Sequence, residues 1–518
     1  MTTSNSNGKN SILTAALLST SAILAQDANL VPVRYKDFGA KGDGKTDDHQ
    51  AIIDAHNYAN EHNLPVRADD DATYYIGDTY ATATIMTDID FGKAHFIIDD
   101  SKIPVDRRQK PVFQIVSDKP TYSPDIKGPL KAGQENIGRR FPCKTMIIVF
   151  NNKVKHFIRH GGNQNDGTSA SDCFIVDENG NVDPTTPIVW DFDIVTSSQA
   201  IPLDVKPITV QGGIFTTIAN QAESKYTYYG RNIKITRSNT TLQNMTHLVT
   251  GELDHGAPYS AFYGVNNCAN VVIRDSIVTG HKTYTTIGSA GTKVSMGTYD
   301  LGAGRTINLS FINLRQSNDI MDGRYWGVLG TNYCKNLLYE NCKVSRFDAH
   351  CGVCNATIRN SEMGHAGVNL IGYGTFLIEN SIVHGRTMLS LRPDYGSFWR
   401  GDLIIRNCTF VNRNPSEVCI IGGYNNGKHD FGYECRMPTN IVIDGLTIDD
   451  QNILFPTYNG PFVFAGFNGK YDEKYKETYP YIRTKKVTAK NIKTTSGKAL
   501  RLGYNLHFFK DTEFVYEK

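Results

Sequence analysis

Residues 356–385 read ATIRNSEMGHAGVNLIGYGTFLIENSIVHG, and one short phrase occurs in them twice, as Ile358-Arg359-Asn360-Ser361 and as Ile378-Glu379-Asn380-Ser381. Two or three β-branched or apolar residues lead to an Asn, a small residue follows, and an alternating apolar pair comes next. Outward from this stretch the phrase recurs as Leu242-Gln243-Asn244-Met245, Ile273-Arg274-Asp275-Ser276, Phe311-Ile312-Asn313-Leu314, Tyr339-Glu340-Asn341-Cys342 and Ile405-Arg406-Asn407-Cys408. Weaker copies are Ile443-Asp444-Gly445-Leu446 and Ala489-Lys490-Asn491-Ile492.

The Asn or Asp positions 244, 275, 313, 341, 360, 380 and 407 are separated by 31, 38, 28, 19, 20 and 27 residues. The two shortest separations set the bare period. Three strands of about five residues with short turns need about that length to make one coil of a parallel β-helix, whereas a propeller blade needs about 40 to 45. Longer intervals are then coils with inserted loops. Asn suits the bend between two strands, because its side chain bonds to nearby backbone and it tolerates left-handed geometry. Stacked coil on coil, it can also form a ladder. The residue after it runs Met, Ser, Leu, Cys, Ser, Ser, Cys, which predicts an inward-facing file and makes Cys342 and Cys408 core residues.

Composition agrees with an all-β solenoid. The 518 residues include 46 Gly and 27 Tyr, and charged residues make up only 20%. Length alone suggests three or four domains, but a repeat fold overrides that quotient. Lys and Arg number 54 against 52 Asp and Glu, a net charge of +2 that gives no basic domain for nucleic acid. No run of about eighteen apolar residues exists, so no transmembrane helix is expected. Ten Cys are too sparse for a disulfide scaffold, and Cys351 and Cys354 alone have C-x-x-C spacing. Nothing in the sequence fixes an oligomeric state.

The chain divides into five stretches. Residues 1–25, with the uncharged run Ile12 to Ala25 after Lys9, read as a signal peptide and predict export to a secreted, periplasmic or cell-surface location. Residues 31–78 form an N-terminal strand and capping helix: Val33 to Phe38 is the strand, Gly39 to Lys45 a glycine turn, Thr46-Asp47-Asp48 the helix start. Ala51, Ile52, Ala55 and Ala59 then share one helical face that covers the first coil. Residues 79–230 are irregular early coils with insertions, 231–500 regular coils, and 501–518 a C-terminal end cap.

The run FGAKGDGKTDD, Phe38 to Asp48, followed by a helix and coil repeats, resembles the opening of the pectate-lyase-like right-handed parallel β-helix superfamily. That group includes secreted polysaccharide lyases, glycoside hydrolases and phage tailspike depolymerases. The resemblance implies the fold and a polysaccharide substrate, and it spans roughly residues 33 to 500, loosely over 79–230. The motifs of its two best-known enzyme groups, polygalacturonases and classical pectate lyases, are missing: Arg392-Pro393 followed by Arg400 does not match the lyase signature. No catalytic residue is carried over.

A β-helix presents a groove along one side, where residues at equal offsets line up about 4.8 Å apart. His281, Arg346, His365, His384 and Arg386 lie four to six residues after the repeated Asn or Asp, a row that suits an acidic sugar chain or merely solvates the turn. Arg346, Asp348 and His350 alternate, so in extended chain they face one side. Such a trio binds a carboxylate, holds a tautomer and moves a proton, or else forms a structural network. Leu391 to Arg400 brings Arg392, Asp394, Tyr395, Trp399 and Arg400 into a turn-forming stretch, an anion clamp with an aromatic sugar platform. Asp322, Arg324 and Trp326 form a third segment, and Tyr299 precedes it as a further substrate-binding candidate.

The leading reading is a secreted lyase that cleaves a uronic-acid polysaccharide of glycosaminoglycan, alginate or pectin type by β-elimination. Arg346 and Arg392 clamp the carboxylate, His350 or His365 is the base, Tyr395 or His384 the acid, and Asp348 or Asp394 orients. Calcium is compatible with the resemblance, though no ligand spacing demonstrates it, and no other cofactor or metal is indicated. A glycoside hydrolase would draw paired carboxylates from Asp322, Asp348 and Asp394. A tailspike-type polysaccharide-binding protein is the third reading; the signature beginning near Val33 leaves it no room for a particle-binding head domain.

Overall fold

The computed structural model describes residues 30–325 and 329–517. The leader 1–25 and Trp326 lie outside the described residues. Thirty-four strands belong to one sheet in which neighbours pair in parallel, a right-handed parallel β-helix. Each coil visits three faces in turn. Thr240–Gln243, Ala269–Arg274 and Ile307–Ile312 stack on the first face, Thr246–Thr250 and Ile277–Val278 on the second, and Ile233–Ile235, Tyr263–Asn266 and Leu301–Gly304 on the third.

Period-two alternation fills the interior. On the first face Val271 and Ile273, Leu309 and Phe311, Leu337 and Tyr339, Ala356 and Ile358, Phe376 and Ile378 are all buried. The residue after the repeated Asn is buried as well: Met245, Ser276, Leu314, Cys342, Ser361, Ser381 and Cys408 line one file. The serines in it bond across coils, with Cys342 N–H donating to Ser361 Oγ at 2.9 Å and Ser361 N–H to Ser381 Oγ at 3.1 Å. All ten cysteines are free thiols, and Cys342 and Cys408 are core residues.

The Asn positions are left-handed. Asn244, Asp275, Asn313, Asn341, Asn360, Asn380, Asn407 and Asn491 have φ between 47° and 56°. Their side chains form the ladder, Asn341 Nδ2 donating to Asn313 Oδ1 at 2.7 Å and Asn313 Nδ2 to Asp275 Oδ1 at 2.6 Å. A second ladder, not anticipated, enters the first face: Asn355, Asn336, Asn308, Asn270 and Asn239 link in succession at 2.8 to 3.2 Å. Each of its Asn lies three residues before the quoted phrase and directly before a buried residue of the strand.

At the N-terminus the helix His49–His62 buries Ile52, Ala55 and Ala59 against the first coil, while Ala51 is only half-buried. Two local expectations are corrected. The strand ends at Arg34 and Tyr35–Phe38 is a 3-10 turn, because the Tyr35 ring turns inward and its hydroxyl meets His56 Nε2 at 2.9 Å. Asp43–Asp47, read as turn and helix start, is a second-face strand. Asp48 closes the glycine run by accepting the Lys41 and Gly42 N–H groups at 2.6 and 2.9 Å.

Between Phe113–Ile115 and Ile208–Gln211 the chain leaves the coil and builds an antiparallel sheet from Thr145–His156, Thr168–Val176 and Ser197–Pro202. One side has its own core, with Ile147, Val149, Phe174 and Phe192. The other, through Met146, Ile148, Cys173 and Ile175, packs on Ala269 and Ile307 of the coils. A buried ion pair pins it there, Lys335 Nζ to Asp172 at 2.8 Å. At the other end, Arg501–Gly503 and Glu513–Glu517 are two further strands of the parallel stack.

The Asn341→Ala variant keeps φ 51° without the side-chain amide that makes the left-handed angle tolerable, and it breaks the ladder. It is expected to cost about 1–2 kcal/mol in urea unfolding, and Asn341→Gly, which tolerates the angle, less.

Candidate active site

The third face carries a groove of about 380 Å³. Its floor is a file of glycines. Gly264 pairs with Gly302 and Gly302 with Gly330, and the pairing of Thr331 with Ala349 brings Asp348 next in line. A Cβ on Gly302 would lie 2.9 Å from Ala261 Cβ, so the floor is pared to backbone. Asn232, Asn266 and Asn332 line the groove beside the floor, Tyr228 and Tyr299 rise from loops, and His350 stands at one end.

Strand alternation turns Phe347 and Ala349 into the core and Asp348 and His350 outward. Asp348 is buried by two guanidiniums, Arg346 at 2.5 Å and Arg392 at 2.8 Å. Arg392 also reaches Asp394 at 2.7 Å, and Asp394 takes a third guanidinium, Arg159, at 2.9 Å. Burial alone would raise both carboxyl pKa values, but Arg346 and Arg392 hold Asp348, and Arg392 and Arg159 hold Asp394, below the usual range.

His350 responds oppositely. Burial, then the positive field of Arg392, lowers its pKa to about 4, so the imidazole is neutral near neutral pH. Its Nδ1 lies 3.2 Å from Asn332 Oδ1 and 3.3 Å from Cys351 Sγ, so both hydrogen-bonding neighbours of the ring lie on the Nδ1 side. Nε2 has no hydrogen bond to the described residues. Tyr395 stands edge-on to the ring with centroids 5.7 Å apart, and its hydroxyl meets Cys351 Sγ at 3.7 Å.

Six of the residues singled out in the sequence therefore converge: Arg346, Asp348, His350, Arg392, Asp394 and Tyr395. Tyr299 lines the same groove, and the remaining described candidates lie elsewhere. His365 Nε2 meets the Tyr325 carbonyl at 2.9 Å beside the exposed Arg324, which chelates Asp322. His384 pairs with Glu362 at 3.2 Å on the second face, and Arg386 is exposed just beyond. Trp399 is corrected from sugar platform to core, fully buried against Phe376 with its indole N–H on Gly374 O at 3.1 Å. Arg400 lies over Trp190 and Tyr373 and donates to Val189 O, bracing the inserted sheet.

Sequence reasoning missed Arg159, which comes from the loop between Thr145–His156 and Thr168–Val176. Phe157 anchors that loop against Tyr333, Tyr395 and Tyr433, and the His160 N–H donates to Asp394 O at 2.9 Å. The signal was present in Phe157-Ile158-Arg159-His160 ahead of a Gly/Asn-rich stretch, but no repeat offset marked it. Tyr228 was missed for the same reason. Burial and the nearby Tyr299 and Tyr226 hydroxyls push its pKa up, so it remains protonated.

Beneath Tyr299 lies a buried cluster of His247, His281 and Asp300, whose ligand atoms fall within 4.8 Å of one another. Two imidazoles and one carboxylate form a borderline donor set, unlike the all-oxygen shell of calcium. The groove carboxylates do not fit calcium either, since guanidiniums occupy their faces. The cluster's members are joined to one another by polar contacts. Asp300 meets His247 at 2.5 Å and His281 at 3.5 Å, accepts the Thr279 N–H at 2.7 Å, and His281 reaches Glu252 at 3.3 Å. Burial would lower the His281 pKa, but its bonds to Asp300 and Glu252 raise it to about 9; burial would raise Asp300, yet the two imidazoles hold it at about 2.

With an unfolded value of about 6.5, charged His281 stabilises the fold fully below that pH. The contribution is lost as pH rises through about 9. Unfolding followed from pH 6 to 9.5 is expected to show a decline that His281→Gln lacks.

No family model matches the sequence. A capsule KL64-specific depolymerase of Klebsiella phage P510 is 29% identical over 115 residues, which is 18% of this chain and 11% of that protein. Among solved structures, the tailspike protein gp49 of Pseudomonas phage LKA1 superposes with a TM-score of 0.47 at 13% identity, covering 89% of this chain and 81% of that one. The Gp54 tailspike of Acinetobacter baumannii bacteriophage AP22, solved with a capsular saccharide, gives 0.49 at 10% identity, covering 94% and 79%. Among the described residues no helix is long and apolar enough to cross a membrane. In its stacked coils, its helix-covered first turn and its Asn ladders, the chain has the architecture of the right-handed parallel β-helix superfamily that its Phe38–Asp48 run resembles.

Proposed function

We propose that the chain is an extracellular polysaccharide lyase that cleaves a uronic-acid-containing polymer by β-elimination, with His350 as the base. The observation that carries this reading is the neutral imidazole at the end of an open groove, its Nε2 unoccupied, beside carboxylates held as anions by arginines. The segment shared with a phage capsule depolymerase supports a polysaccharide as the substrate class.

The chemistry follows from these groups. The proton next to a uronate carboxylate is weakly acidic, and a guanidinium facing that carboxylate stabilises the charge that builds up when it leaves. Arg159 and Arg392, 20% and 12% exposed, are the cations whose field reaches His350. His350 Nε2 takes the proton, the carbon–carbon double bond forms as the glycosidic carbon–oxygen bond breaks, and the departing oxygen takes a proton from Tyr228. Arg346, only 4% exposed, braces Asp348 rather than meeting the sugar. Tyr395 is nearly buried and positions His350. A hydrolase needs one carboxyl group protonated at working pH, and Asp348 and Asp394 are both held ionised.

Incubation with glycosaminoglycans, alginate and pectins is expected to release oligosaccharides carrying the ultraviolet chromophore of an unsaturated uronate. Reducing ends without the chromophore would overturn the lyase in favour of a hydrolase, and binding without products in favour of a tailspike-type binding protein. The His350→Ala variant should lose roughly 10²–10⁴-fold in kcat with its fold intact. Because the base acts neutral, kcat/KM is expected to rise with pH through about 4 and stay level to neutrality. Asp348→Asn leaves two buried guanidiniums short of a partner, and a loss of about 3–5 kcal/mol in denaturant unfolding is expected.

A further inference from the structure

The groove is chemically uneven along its length. Among the described residues, the stretch from Asn232 to Asn332 is lined by amides, hydroxyls and glycine backbone, with no Lys, Arg, Asp or Glu side chain. Cationic groups lie outside that lining. Arg159 and Arg392 lie behind His350, and Lys234 occupies the glycine file one coil before Gly264. From Lys234 to Asp348 is four coil steps, roughly 19 Å at about 4.8 Å each.

Such a trough discriminates between classes of acidic polymer. A homopolymer of uronic acid has a carboxylate on every sugar, so several would lie on the uncharged floor, losing water without gaining a cation. Neutral sugars bring hydroxyl and amide groups, which the lining matches. The Asn266 side chain makes no hydrogen bond to the described residues, and Asn232 donates through Nδ2 to Ala261 O at 2.9 Å, leaving its own oxygen to accept. Tyr228 and Tyr299 add aromatic rings to the lining.

We infer that the substrate is a heteropolysaccharide whose acidic sugar sits at His350 and is joined, on the side running toward Lys234, to neutral sugars. The inference rests on the groove assignment made above, but its test is separable from the chemistry. Calorimetry with the His350→Ala variant compares size-matched oligomers of polygalacturonate with oligomers of hyaluronan, in which uronate and neutral N-acetylhexosamine alternate. Hyaluronan oligomers are expected to bind at least about tenfold more tightly, about 1.4 kcal/mol, and wild-type kcat/KM should show the same preference. Asn266→Lys, which supplies the missing cation, should narrow the gap by raising affinity for polygalacturonate. Equal or tighter binding of polygalacturonate, or no binding preference at all, overturns the inference whatever bond the enzyme cleaves. If no unsaturated product forms from either polymer, the lyase reading fails, and the binding preference alone decides the nature of the groove.

Discussion

Everything in this molecule depends on coil-to-coil register. Each residue has its partner one coil away, so a side chain's neighbours are set by position in the repeat rather than by distant folding of the chain. The left-handed Asn at each bend enforces that register twice, through a backbone angle few other residues accept and through an amide that bonds to the same amide on the next coil. A slip of one residue on the third face would carry Asp348 into the core and Phe347 into the groove. The glycine floor and the side chains that line the groove share this dependence.

The fold was legible because the repeat states the same constraint many times over: an Asn, a small buried residue, and alternating apolar positions at a period too short for a propeller blade. The trio Arg346, Asp348 and His350 could be placed together because period-two alternation is local. Equal offset from the Asn misled for His365 and His384, since it fixes a position around the coil and not the groove into which a side chain opens. Trp399 was misjudged because a Trp in a Gly- and Pro-rich turn looks exposed, while its strand pairing with Gly372 buries it. Arg159 and Tyr228 were invisible because they come from excursions outside the repeat, where nothing periodic marks them.

The electrostatics show two results of the same burial. Three guanidiniums and two carboxylates compensate one another, so the acids stay ionised in a place that would otherwise neutralise them. The imidazole beside them has no anionic partner within hydrogen-bonding distance, and both burial and the arginine field strip its proton. One neighbourhood thus produces fixed anions and a neutral base.

The Arg159–Asp394 pair joins positions 235 residues apart. Coils stack on immediate neighbours and can form in sequence, but the inserted loop has its counterpart only after the later coils are in place. During synthesis the loop around Phe157 and Arg159 is therefore made long before the partner that fixes it. The charge network around Asp394 is completed late in folding, and a shortened solenoid that remains compact would still lack it.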